Sequence, residues 1–175
     1  SAMKLYIYRG LKNEEIPWDV THVIVDRSVT VIRSYAFSNC EHLVCVIMYD
    51  NVKRIEEGAF WNCLALRFVR LSRTLEHIGE SAFLNCKSLE ALFLQSTVKS
   101  IEEDVFYSCV SLRLLILPND IDLSKVGRQI IDGTTVYRIA RASGVEYAYQ
   151  FIQVNVDRTR NFDVTVESNR LVNEW

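Results

Sequence analysis

The sequence predicts an α/β repeat fold: a solenoid of about five coils, with short parallel strands, helical-turn corners and a cap at each end. Two observations predict it. Phe37, Phe60, Phe83 and Phe106 follow one another at a step of 23 residues. Cys40, Cys63, Cys86 and Cys109 keep that step, as do Leu43, Leu66, Leu89 and Leu112, and Ile32, Ile55, Ile78 and Ile101. A further column runs Val29, Val52, Leu75, Val98. The second observation is a run of alternating apolar residues after each leucine: Val23/Val25, Val46/Met48, Val69/Leu71, Leu92/Leu94, Leu115/Leu117. Alternation of period two is a strand with one buried face. A fixed period in the twenties means one supersecondary unit per repeat, stacked on its neighbours.

Residues 4–19 precede the repeat and are expected to form the N-terminal cap, because a solenoid exposes apolar coil ends that need covering. Within them "LYIY" alternates as an edge strand, and "IPWD" offers Trp18 as a lid. Ser1-Ala2-Met3 reads as a cloning remnant plus a start methionine.

Residues 20–117 hold the repeats. In each, the alternating strand is followed by a second wall carried by pairs such as Val52 and Ile55. A corner such as "EEGAFWNC" then closes the coil. Ala36, Phe37, Cys40 and Leu43 are three or four apart, so one helical turn would point them all inward. Asn39, Asn62, Asn85 and Ser108 are short polar residues suited to bonding the backbone of the adjoining coil. Residues 118–175 lose the period and form a C-terminal flank or cap. There "DLSKVGRQIIDG" and "TTVYRIARASG" suggest short helices ending at Gly133 and Gly144, and "YQFIQVNVD" and "NFDVTVES" suggest two strands. The ending "SNRLVNEW" reads as an interrupted helix start, as in a fragment of a longer protein.

The pattern, roughly L-x-x-V-x-L-x-x-x-V-x-x-I-x-x-x-A-F-x-x-C-x-x-L, resembles the BspA-type leucine-rich repeat family over about residues 20 to 117. The strand-ending proline of that family is matched only by Pro118, and the glycine after isoleucine only by Gly79. The resemblance implies a curved, right-handed leucine-rich repeat solenoid used for binding, often in adhesion or host contact. It carries over no catalytic residue and no cofactor.

Composition narrows the function further. Of the 175 residues 49% are hydrophobic, which excludes a disordered chain, and the formal net charge of −2 offers no global attraction to nucleic acid. No apolar run approaches the ~18 residues of a membrane span. The regular cysteines tempt a metal reading, but one thiol per coil at ~4.8 Å spreads the four over ~14 Å, too far for one tetrahedral zinc. Adjacent rungs also hold their Cβ atoms beyond the ~3.8 Å typical of a disulfide. Buried free thiols acting as small hydrophobes suit a reducing compartment, and with no Asn-x-Ser/Thr sequon they point to a cytoplasmic or other intracellular protein, a surface or secreted one with its leader trimmed away being the alternative. Cys45 lies on the outward phase of its strand and is expected to be the reactive one. His22, His42 and His77 do not converge, and no nucleophile, phosphate-loop or zinc-protease motif is present, so no enzyme is expected. Glu57, Glu80 and Glu103 stack in a column, with Glu56, Glu102 and Asp104 beside them, as an acidic ridge.

Function is expected on the strand positions that alternate with the core. The outward columns read His22, Cys45, Phe68, Ala91, Leu114, then Ile24, Ile47, Arg70, Phe93, Ile116, then Asp26, Tyr49, Ser72, Gln95, Pro118. Ile24, Ile47, Tyr49, Phe68, Phe93, Leu114 and Ile116 would form a contiguous apolar stripe, with Arg70 as an orienting charge. Such a patch marks an interaction site. Its occupant would be a protein partner, a second copy of the chain or the chain's own flank. The leading reading is a non-enzymatic protein–protein interaction module; the alternative is a structural or scaffolding segment of a longer protein, its strand face sealed by the flank or by self-association.

Overall fold

A computed structural model describes residues 2–118 and 120–142. The chain winds as a parallel-strand solenoid. One wall carries β1 (Leu5–Tyr8), β2 (His22–Val25), β4 (Cys45–Ile47), β6 (Phe68–Arg70), β8 (Ala91–Phe93) and β10 (Leu114–Ile116). The second wall carries β3 (Val31–Ile32), β5 (Arg54–Ile55), β7 (His77–Ile78) and β9 (Ser100–Ile101). Four coils therefore have a strand on each wall, and partial coils continue the stack at both ends. All pairings are parallel and in register with the repeat, as in Val23↔Val46↔Val69 and Ile32↔Ile55↔Ile78↔Ile101.

The five columns that keep the 23-residue step lie in the interior. The isoleucine, phenylalanine, cysteine and leucine columns are all buried, Cys40 being the most accessible at 5%. Rings of successive coils stack: Phe37–Phe60 at 5.2 Å, Phe60–Phe83 at 5.1 Å and Phe83–Phe106 at 5.7 Å between centroids. Val69 and Leu71 are only half-buried, and so are Leu115 and Leu117 at the last described strand.

The corners differ from helical turns. They are strings of i→i+3 bonds, such as Ala36 N–H to Arg33 O and Cys40 N–H to Phe37 O, broken by residues with left-handed backbone. One such column is Tyr35, Gly58, Ser81, Asp104, and another is Asn39, Asn62, Asn85, Ser108. Left-handed conformations tolerate Gly and Asn best, which explains that second column. The reversals turn alternate N–H groups along the stack. Tyr35, Phe37 and Asn39 donate to the carbonyls of Glu57, Ala59 and Trp61, and later coils repeat this. The asparagine side chains bond one another, Asn62 Nδ2 to Asn39 Oδ1 at 3.0 Å and Asn85 Nδ2 to Asn62 Oδ1 at 2.8 Å, in place of the expected bonds to backbone.

At the N-terminus Trp18 is not the lid. It is 73% exposed, with its ring edge-on to His42 at 5.8 Å. Tyr8 takes that role, being 1% exposed and packed on Phe37 at 5.1 Å, with its hydroxyl accepting the Arg33 N–H. Glu14 ties the loop beneath it, accepting from the Tyr6 hydroxyl and from the Arg9 and Leu11 amides.

At the other end the repeat outlasts the sequence periodicity. Ile101 bridges to Val126, and Asp104, Phe106 and Ser108 donate to Arg128, Ile130 and Asp132. A two-residue insertion shifts the phase, so Val126, Ile131 and Thr134 occupy the places of Ile101, Phe106 and Cys109. Gln129 and Gly133 then supply the two left-handed positions. The expected helix ending at Gly133 is therefore a short 3₁₀ turn, Leu123–Lys125, and a further corner. Helix α1 (Thr135–Ala142) follows within the second expected helical stretch. The two expected strands near 149–167 lie outside the described residues.

Gly79 shows how closely the coils approach. A Cβ there would sit 2.6 Å from Glu57 N and 2.7 Å from Glu56 C. Phe60→Ala or Phe83→Ala should each destabilise by ~3–5 kcal/mol, since each ring fills a coil interior. Chemical denaturation measures this, and a loss below about 1 kcal/mol would contradict the stacking.

Candidate partner-binding face

The outward face of the β1–β2–β4–β6 sheet and the neighbouring β8–β10 pair carries the sequence-nominated stripe. Phe68 and Phe93 are the most exposed of it, at 58% and 52%. Ile24, Ile47, Tyr49 and Leu114 are half-buried, Ile24 standing beside Ile7 and Ile47 on the neighbouring strands. Arg70 is exposed, and its guanidinium bonds the Met48 carbonyl and lies 3.7 Å from Asp50. Ile116 is a correction. It is only 8% exposed, and Pro118 two residues on is buried too, so neither adds open surface at this end. Ser72, also expected outward, is 1% exposed because it turns in to meet Thr74.

The register adds residues that the sequence reading left out. Leu5 pairs with His22 and Ile7 with Ile24, so β1 lengthens the face with two exposed apolar side chains. The signal was the alternation of "LYIY", which copies "HVIV". Arginines flank the stripe on both sides. Before the strands, Glu90 lies 3.4 Å from both Arg67 and Arg113. After them, Asp50 is shared by Arg70 and by Arg73 at 3.3 Å. Arg27 stacks over the Tyr49 ring at 4.4 Å, and Arg67 over Phe68 at 5.4 Å. Between β6 and β8 no backbone hydrogen bond joins the wall, although β4–β6 and β8–β10 are paired. Phe68 and Phe93 stand on either side of that split.

The other nominated chemistry resolves plainly. Among the described residues no group of three or more His, Cys, Asp or Glu is placed to hold a metal ion. The ladder thiols are free and act as donors as well as hydrophobes: Cys63, Cys86 and Cys109 give their S–H to the carbonyls of Phe37, Phe60 and Phe83 at 3.0–3.2 Å. Burial pushes the Cys40 thiol up to about 11 and Cys63 well above the ordinary thiol range. Cys45 is half-buried, and burial raises its pKa as well, so it is the accessible thiol without being an activated one. His77 is bonded to Ser100 and faces Glu102 at 3.4 Å, away from the other two histidines. On the acidic ridge the Glu80 carboxyl is raised, first by burial and then by Glu57, Glu103, Asp104 and Glu102 around it.

Comparison with known proteins is decisive for the family. The BspA type leucine rich repeat region matches residues 17–135 in six copies. The chain belongs to the BspA-type leucine-rich repeat family. Among solved structures, a leucine rich cell surface protein of Faecalibacterium prausnitzii shares 30% identity over 61% of this chain, with a TM-score of 0.58. A leucine-rich repeat protein of Bacteroides ovatus shares 25% identity over 74%, with a TM-score of 0.56. The chain spans 28% and 34% of those two proteins' lengths. The T. pallidum leucine-rich repeat protein has the same fold at 20% identity, covering 82% of this chain and 77% of its own, with a TM-score of 0.53. No curated protein matches the chain. Among the described residues no helix is long and apolar enough to cross a membrane. The intracellular setting expected from free thiols gains no support from a relative described as a cell surface protein.

Two outcomes follow from these environments. In the folded protein Cys45 should react with a thiol reagent well before Cys63, with a rate still climbing above the ordinary thiol pKa; peptide mapping after timed labelling reads the order. Glu80→Gln should raise the melting temperature at pH 7. The folded carboxyl takes up its proton at higher pH than the unfolded one, so this group's contribution to stability grows as pH falls through its folded range. The variant should therefore gain less than wild type when melting curves at pH 7 and pH 5 are compared.

Proposed function

We propose that this repeat module is non-enzymatic and binds a protein partner through the outward face of its strand wall. The residues are Ile24, Ile47, Tyr49, Phe68, Arg70, Phe93 and Leu114, extended by Leu5 and Ile7. The observation that carries the reading is the pair Phe68 and Phe93, more than half exposed on strands whose opposite faces are anchored in the core. Exposed rings on a fixed frame offer large contact area at little entropic cost, and an arginine beside them matches the usual make-up of an interface hot spot. Relatives that are cell surface or repeat proteins are consistent with a contact role.

A second reading has one observation in its favour. Ile116 and Pro118 are buried at the C-terminal end of the same face within the single chain, as expected for a structural segment whose strand face is sealed by residues 118–175; sealing by another copy is the other form of this reading. The double variant Phe68→Ser, Phe93→Ser separates the two. As a binding face, it should keep its melting temperature within a few degrees and lose its partner in pull-down. Sealed, it should melt earlier, or change mass in sedimentation, and residues 118–175 should become protease-sensitive. If stability, mass and partner capture all stay unchanged, both readings fail.

A further inference from the structure

We propose that the strand wall contains a gate: β6 and β8 stand apart in this structure and close into one continuous parallel sheet in a second state of the chain. The period itself specifies the closed state, because β6 and β8 are separated by the same 23 residues as the paired strands on either side. The backbone shows what the open state lacks. Met48 N–H donates to Arg70 O at 2.9 Å, and Leu94 N–H to Ile116 O at 2.8 Å. One step between those two bonds, Leu71 N–H and Phe93 O are the equivalent pair, and they are not joined. Phe68 likewise donates to Val44 O and Leu114 to Glu90 O, whereas Ala91 makes no such bond to Arg67 O.

Packing agrees that the coils splay at this link. Val69 and Leu71 are half-buried, while their counterparts Val46, Met48, Leu92 and Leu94 are at most 4% exposed. The Phe83–Phe106 pair is the widest and most tilted of the three phenylalanine stacks, at 5.7 Å and 20°. The asparagine ladder also ends at Asn85, with Ser108 in the next place.

The other sides of the same link stay joined. β7 pairs with β9, His77 bonds Ser100 at 2.6 Å, and Ser81, Phe83 and Asn85 donate to Glu103, Val105 and Tyr107 at the corner. Second wall and corner therefore form the hinge about which the strand side swings. Arg67 and Glu90, 3.4 Å apart, strap its mouth, and an ion pair at the surface is weak enough to yield. Closure buries Val69 and Leu71 and adds the missing ladder bonds. Opening returns the same backbone groups to water, so each bond contributes little net and the two states lie close in free energy. In the closed register Phe93 stands beside Arg70, which changes the spacing of the two exposed rings. The gate rests on backbone geometry and holds whether or not the face binds a partner.

Hydrogen exchange on the full wild-type chain, read amide by amide by NMR, tests the gate. The Leu71 and Ala91 amides should be protected about tenfold or more above an unpaired amide, and about tenfold or more below those of Met48 and Leu94. Cross-linking reads the closed state. In a Cys45→Ser background, Phe68→Cys with Ala91→Cys places two thiols across the gap. Ala91→Cys with Leu114→Cys places two across the paired β8–β10 link as the control. A short bis-alkylating reagent should join both pairs, the gap pair several-fold more slowly, and should then lift Leu71 protection to the level of Met48. A gap pair that never joins while the control reacts fully, with Leu71 and Ala91 exchanging as unpaired amides, would overturn the gate as a fixed opening. Equal joining rates, with Leu71 already as protected as Met48, would overturn it as a wall that is always shut. The exchange measurement needs no substitution, so it decides the question even where a cysteine pair unsettles the fold.

Discussion

Everything in this chain depends on one spacing. The backbone of each coil is hydrogen-bonded to the next at the second wall and at the corner, and on the first wall everywhere but between β6 and β8, which holds equivalent residues about 4.8 Å apart. Any side chain in the interior must therefore tolerate a copy of itself at that distance. Phenylalanine does so by stacking, with centroids 5.1–5.7 Å apart. Asparagine does so because an amide is donor and acceptor at once, and the thiol does so by turning its hydrogen to a carbonyl of the coil before. A charge does not: on the acidic ridge the Glu80 carboxyl is raised by burial first and then by the carboxylates stacked around it.

That self-tolerance is what made the fold legible. Five columns repeating at one step could be assigned inward from the residues alone, and all five are buried. Legibility failed where the step changed or where a residue acted out of its column. Two extra residues before Val126 moved the last coil out of phase, and Ile, Thr and Gly there replaced the Phe, Cys and Asn that marked earlier coils. Trp18 looked like a lid because it is large, whereas Tyr8 serves because its strand position points inward and its hydroxyl reaches Arg33.

The candidate face was legible as a stripe and illegible as a surface. Alternation told which residues leave the core, but whether they stay open is decided by what lies over them. Phe68 and Phe93 remain open, and Ile116 does not. The flanking arginines were invisible for a different reason. Arg67 and Arg113 are separated from Glu90 by 23 residues each and meet it only because the period stacks them. Cross-coil electrostatics becomes readable only after the register is fixed.

The break between β6 and β8 bears on how the array yields. A repeat protein is close to a chain of springs in series, each spring being the contact between two neighbouring units. Most springs here have three parallel elements: two walls and a corner. The one between the third and fourth complete coils lacks its strand wall and is bridged on that side by Arg67 and Glu90. Loaded along its axis, such an array parts first at its softest link. The softest link lies between the two exposed phenylalanines, so a ligand gripping both would act as a splint across it.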